Sequence, residues 1–346
     1  MKTIYIHIGS PKTGSSAIQA FLSKNYNLLL GAGFYYPQVG RGYRDGKFNL
    51  VNPAVWMNGN VLNNLSQLKA LLKKFNGLKA QNLILSDECL FLNGSNQWYA
   101  SDVRKHLNDY NVRLIVYLRP APDYLAGIWQ ERIKYNATET LDAALKKDVY
   151  LKCLNDLKHL IVKVKKENVN LRIYTSKKLH RESSVFDFAK TIKLTKLTKY
   201  VINSAKDNKS LDRETANRVL YFNRLAQLTI NDQSKLYEYF TNHSDKSTPI
   251  VNSIPKETYK SIALKHSKIE GQIGKLLFGK NLFERDDFTN KFVRVTEDLG
   301  FIFRGKAWIM AKFFSKLIPL NFKNLRRSKE RKNLKTKPRK TLQAEN

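Results

Sequence analysis

Two cysteines, Cys89 and Cys153, are too few for a disulfide framework and point to a reducing compartment. The six histidines are scattered, and nowhere do His, Cys, Asp and Glu fall at metal-ligand spacing, so no metal is expected. Acids are scarce: 29 Asp+Glu stand against 61 Lys+Arg, a net charge of +32. That balance favours an anionic partner, whether nucleic acid, lipid or an acidic small substrate, without choosing among them. Zinc-finger spacing, an RRM aromatic motif and a basic zipper are all missing, which argues against a specific nucleic-acid reader. No apolar run is long enough to span a bilayer. The chain enters strand-type sequence almost at once, without a charged n-region and a long apolar h-region, so no signal peptide is expected and the location reads as cytoplasmic. What is present is globular in kind: 42% hydrophobic and 11% aromatic, in a chain long enough to bury a large core.

The most informative stretch is Ile4 to Leu22, IYIHIGSPKTGSSAIQAFL. Ile4 to Ile8 is rich in β-branched residues and predicts a buried strand. From Ala17 onward, Ile18, Phe21 and Leu22 recur at one-face helical spacing. Between them lies Gly9-Ser10-Pro11-Lys12-Thr13-Gly14-Ser15-Ser16. A strand feeding a glycine-containing loop that opens a helix aims backbone N–H groups and the positive end of the helix dipole at one spot. Such a spot suits a phosphate or a similar oxyanion. A nucleotide-triphosphate P-loop carries its lysine directly after the second glycine. Here Gly9 and Gly14 keep that separation, but Ser15 stands at the lysine position and the loop's lysine, Lys12, lies inside it.

Further on, strand and helix patterns alternate. Leu62 to Phe75 carries an apolar stripe at helical spacing; Asn82 to Ser86 is a buried-type strand, followed at once by Asp87 and Glu88. Trp98 to Leu107 reads as helix and Arg113 to Leu118 as a third strand, running into Arg119. Helices over Asp123 to Lys134 and Leu141 to Glu167 precede a fourth strand at Leu171 to Tyr174. The alternation predicts an α/β class protein with a central parallel sheet and right-handed crossovers, in the form of a P-loop-type three-layer fold. A helix-rich carboxyl-terminal half follows, with helices over Ser184 to Ile192, Leu211 to Ile230 and Lys256 to Leu277, expected to cap the same sheet within one domain, 1–299. Gly31 to Pro53 reads as irregular, lining an acceptor site or merely connecting elements. Asp87 and Glu88 follow a strand on the edge where such sheets bind ligands; either could act as a base, cap a helix or hold Mg²⁺. His7, alternating within the first strand, reads as packed or hydrogen-bonded, and Ser210 as a helix N-cap just before Leu211.

The order Pro11-Lys12-Thr13-Gly14-Ser15-Ser16 resembles the 5′-phosphosulfate loop of sulfotransferases that use PAPS (3′-phosphoadenosine 5′-phosphosulfate). Residues 116–129, VYLRPAPDYLAGIW, resemble that family's 3′-phosphate segment, in which a strand ends in arginine and a serine follows eight residues later. Arg119 fits, its planar fork suited to a phosphate. Gly127 stands where the family has serine, which removes a hydroxyl and leaves a backbone N–H. The order of elements is similar to bacterial carbohydrate sulfotransferases and, more distantly, to heparan-type enzymes; Asp187-Phe188-Ala189, Asn208 to Leu211 and Gly279 to Phe283 fall at comparable segments. The resemblance implies sulfuryl transfer from PAPS to a carbohydrate hydroxyl, without metal. It assigns the donor to Lys12, Thr13, Gly14, Ser15, Ser16, Arg119 and Gly127. It makes Lys12 catalytic and Glu88 the base, with Asp87 as the neighbour that could take that role.

Two other classes compete. A P-loop kinase or nucleotide hydrolase would use Asp87 for Mg²⁺, but Ser15 replaces its lysine. A non-catalytic basic module would act through charge alone. From Arg304 to Lys340 there are 14 basic residues against the single acid Glu330. Within residues 300–346, Lys306 to Ile318 predicts a short amphipathic helix stopped by Pro319, and Lys323 to Lys340 a disordered basic tail. That pair either rests on an anionic membrane surface, holding the protein peripherally on its cytoplasmic face, or packs on the protein itself.

Overall fold

A strand with isoleucine at every second position buries one whole face, and Ile4, Ile6 and Ile8 are fully buried. They belong to β1 (Thr3–Gly9). The computed structural model describes residues 1–38, 41–42, 56–57, 59–92, 101–147, 149–175, 177–194, 211–225, 230–242 and 250–283. After β1 come α1 (Ser15–Lys24), α2 (Tyr26–Gly31) and the two-residue strand β2 (Phe34–Tyr35). A short antiparallel ladder joins β3 (Arg41–Gly42) to β4 (Trp56–Met57). Then follow α3 (Leu65–Gly77), β5 (Asn82–Ser86), α4 (Cys89–Leu92), α5 (Ser101–Leu107), β6 (Asn111–Leu118) and α6 (Ala121–Lys134). The chain continues through α7 (Leu141–Lys146), α8 (Val149–Val164), β7 (Val169–Ile173) and α9 (Ser184–Thr191). The last described helices are α10 (Arg213–Leu225), α11 (Ile230–Asn242) and α12 (Lys256–Phe278).

The chain divides into two units. The first comprises Met1–Trp129, Leu141–Lys209 and Ile250–Val293 and holds the sheet. Its five strands run in the order β2-β5-β1-β6-β7, and every pairing is parallel. The fold is therefore α/β with a parallel sheet. Such sheets are covered on both faces, which is why the strands read as continuous apolar runs. Leu83, Leu85, Leu114 and Val116 are fully buried like the isoleucines of β1. On the opposite face, Ile84, Ile115 and Tyr117 pack with Ile18, Phe21 and Leu22 of α1 and with Val185, Phe188 and Ala189 of α9. The register sets His7 level with both Ser86 and Ile115, and Gly9 level with Tyr117. The loop after Gly9, the acids after Ser86 and the arginine after Leu118 thus leave the sheet along one edge.

The second unit comprises Gln130–Thr140, Ser210–Pro249 and Arg294–Asn346. The carbonyls that end α6 are met by side-chain amides there. Asn223 Nδ2 donates to Ile133 O at 2.7 Å and to Ala137 O at 2.9 Å, and Gln233 Nε2 donates to Ile133 O at 3.0 Å. Helix ends leave such carbonyls without intrahelical donors, so the two amides complete the helix. The Phe222 and Phe240 rings pack at 5.8 Å.

Several boundaries differ from expectation for local reasons. α3 begins at Leu65, capped by Asn64, whose Oδ1 accepts from Gln67 N at 3.1 Å; Leu62 lies in a preceding 3-10 turn. The helix expected over Leu141 to Glu167 is two helices, α7 and α8, and the one expected over Leu211 to Ile230 ends at Leu225. The cap of α10 is Asp212, which accepts from Thr215 N at 2.9 Å and Thr215 Oγ1 at 2.6 Å. Ser210, Trp98, most of the Gly31 to Pro53 segment and all of 300–346 lie outside the described residues. Among the described residues, no helix is long and apolar enough to cross a membrane.

Candidate functional site

Gly9 ends β1, and a Cβ added there would lie 2.3 Å from Ser15 Oγ, 3.1 Å from Thr13 Oγ1 and 3.3 Å from His7 Nε2. The loop closes that tightly over the strand end, and Thr13 Oγ1 ties it by donating to Ser10 O at 2.5 Å. Gly14 sits at the N-cap position of α1 with φ 79°, where an L side chain is strained. A Cβ on it would also come within 2.3 Å of Ser184 Oγ, at the start of α9. Gly14 offers no capping side chain, so the first N–H groups of α1 have no cap from it. The hydroxyl oxygens of Ser10 and Ser15 are buried without a hydrogen-bond partner. Buried hydroxyls and amides pointing into one turn are the donors an oxyanion satisfies.

Lys12 adopts φ 68°, unusual for a residue with a side chain. Left-handed backbone costs roughly 1–2 kcal/mol, and a neighbouring group offsets it here. Arg119 Nη1 donates to Lys12 O at 3.0 Å, joining the end of β6 to the loop. The same guanidinium stands 3.7 Å from Asp123 Oδ1 and 5.7 Å from the centre of the Tyr174 ring. Its Nε is buried without a partner, which leaves a donor for a ligand. Asp123 accepts from Tyr259 Oη at 3.1 Å. Burial pushes its carboxyl up, against Arg119 and Tyr259, which pull it down. Gly127 lies two turns along α6 from Arg119, beside Lys12.

Asp87 is buried at the end of β5; its N–H donates to His7 O and its Oδ1 caps α4 by accepting from Cys89 N at 2.8 Å. Glu88 follows, half-buried, and its charge adds to the burial and the Cys153 thiol that together raise the Tyr124 hydroxyl. His7 is fully buried, with Nδ1 2.8 Å from Ser86 Oγ, which also accepts from Gln19 Nε2 at 3.3 Å. Burial lowers the imidazole to about 3, so it stays neutral and serves as a packed, hydrogen-bonded support.

The structure thus joins Lys12, Thr13, Gly14, Ser15, Ser16, Arg119 and Gly127 in one place and sets Asp87 and Glu88 on the neighbouring strand end. Three contributors had no role assigned from the sequence. Ser184 abuts Gly14; Tyr174 lies beside Arg119; and Asp187 clasps Arg172 through Oδ1 to Nη2 at 2.5 Å and Oδ2 to Nε at 2.8 Å. Asp187 also accepts from Tyr117 Oη and His180 N, which fixes α9 against the sheet. Only Asp187 carried a signal, an acid inside an apolar helical face. Among the described residues, no cluster of His, Cys, Asp or Glu is placed to hold a metal ion. No family model, curated protein or solved structure matches this chain.

Proposed function

We propose that the chain is a PAPS-dependent sulfotransferase acting on a carbohydrate hydroxyl, its strand–loop–helix belonging to a P-loop-type three-layer fold. The observation that carries this reading is Lys12, held inside the loop between Gly9 and Gly14 by the Arg119 bond to its carbonyl. A cation there reaches the anion from within the loop, unlike the lysine of a nucleotide-triphosphate loop. The unpartnered Ser10 Oγ, Ser15 Oγ and Arg119 Nε fit a donor with two anionic ends. Lys12, Thr13, Gly14, Ser15 and Ser16 would hold the 5′-phosphosulfate and Arg119 the 3′-phosphate; the Gly127 N–H expected to help lies inside α6, where the helix already uses it. When bound, PAPS supplies the sulfuryl group.

The chain's own residues then act electrostatically. The Lys12 ammonium and the N–H groups opening α1 stabilise the charge that builds on the non-bridging and leaving oxygens. The Glu88 carboxylate takes the proton of the acceptor hydroxyl. Engagement of Asp87 Oδ1 in capping α4 favours Glu88 over Asp87 for that task. Thermal unfolding tests the reading. Adenosine 3′,5′-bisphosphate is expected to raise the midpoint without metal, and Lys12→Ala to abolish sulfuryl transfer, a loss of about 3 kcal/mol or more of transition-state stabilisation. Stabilisation by ATP with Mg²⁺, or by an oligonucleotide, with none from the bisphosphate would sink it.

A further inference from the structure

We propose that Gly127 is a positioning residue: the bare face it leaves on α6 is the seat on which the Lys12 stem lies. The role in catalysis rests on the preceding reading; the contact itself does not. Gly127 occupies the interior of a 14-residue helix, where glycine is the least favourable residue after proline. A Cβ added there would stand 3.1 Å from Lys12 Cγ, 3.2 Å from Lys12 Cβ and 3.5 Å from Arg119 Nη1. Carbon atoms in ordinary contact stand roughly 3.5–4.0 Å apart, so the space is already filled by the lysine stem.

Lys12 has little room to withdraw. Its backbone is set at φ 68° and its carbonyl is bonded to Arg119 Nη1, so the direction of its Cα–Cβ bond is fixed from behind. A methyl group at 127 therefore presses on the stem at Cβ and Cγ, which must give by a few tenths of an ångström, while its approach to Nη1 is ordinary contact. A shift at Cγ, carried along the stem, re-aims the ammonium. Where the resemblance places a serine hydroxyl, this chain needs no side chain at all. Lysine, arginine and glycine form one steric unit, assembled from a loop, a strand end and a helix.

A double-mutant cycle on the melting temperature of the full chain reads the seat directly. Lys12→Gly removes the stem and tolerates the same positive φ. In that background Gly127→Ala is expected to raise the midpoint by about 2 °C, the ordinary gain of alanine in a helix. In the wild-type background the same substitution is expected to raise it less, or to lower it. Equal gains in both backgrounds overturn the seat, whatever the chain binds. If Gly127→Ala folds only with Lys12→Gly, the coupling is established; if it folds in neither, the seat is overturned. For catalysis, Gly127→Ala should lower kcat roughly tenfold or more while the Kd of adenosine 3′,5′-bisphosphate stays within about threefold. Unchanged kcat removes the positioning role. A wild-type chain that ignores the bisphosphate removes the proposed function and leaves the cycle to decide the seat.

Discussion

At the scale of single residues, burial sets which groups carry charge. Glu270 of α12 is buried, and although it accepts from the Ala121 N–H, burial raises its carboxyl to about 8. The folded chain then keeps a proton that the unfolded chain releases near the usual carboxylate value. Its contribution is fully favourable below that value and is lost as pH rises through about 8. Urea midpoints of the wild type are expected to fall between about pH 7 and pH 9, above the range in which His7 titrates in the unfolded chain, and Glu270→Gln to flatten that fall. An identical slope in the variant would place the effect elsewhere. His7 moves the other way: burial lowers it to about 3, so its contribution is present above the ordinary imidazole value and is lost as pH falls from about 6.5 towards 3, opposite in sign to that of Glu270.

Elements are held to the sheet by polar clasps as well as by apolar packing. α9 lies over the core through Val185, Phe188 and Ala189, yet what pins its first turn is Asp187. Burial pushes that carboxyl up, but the Arg172 fork, the His180 N–H and the Tyr117 hydroxyl outweigh it and hold it below its ordinary value. Asp187→Asn should cost about 2 kcal/mol in urea unfolding at pH 7; breaking a fully buried pair costs more, but Arg172 is 38% exposed and partly screened. Because α9 carries Ser184 against Gly14, the variant should also weaken bisphosphate binding. A stability change below about 0.5 kcal/mol would mean that apolar packing alone seats the helix.

For the molecule as a whole, charge is the dominant property. A net +32 repels itself and favours anionic partners in general. The basic stretch after Arg304 and the sequence positions Ile309, Phe313 and Leu317 are the composition expected of an interfacial anchor, and vesicle flotation tests that expectation. The full chain is expected to float with anionic vesicles at low salt, and to lose that binding at high salt or with neutral vesicles. Removal of residues 300–346 should abolish it. Unchanged flotation after the deletion would assign the attraction to the rest of the surface.

The first strand, its glycine loop and the helix it opens were legible in the sequence, because β-branched runs and helical spacing are local consequences of which face is buried. The parallel α/β class followed from the alternation of such runs. β2 was not legible: two residues, Phe34 and Tyr35, are too few to display a period. The cap of α10 was misplaced because Ser210 and Asp212 are both good cap formers, and only the path of the chain chooses. The strand order β2-β5-β1-β6-β7 and the Arg119–Lys12 bond, across 107 positions, belong to the tertiary structure alone. So does the space that makes Gly127 a seat for Lys12 instead of a weak point in a helix. Periodicity reports that a residue is buried; what it is buried against depends on which distant segments close-pack, and packing is decided only when the whole sheet assembles.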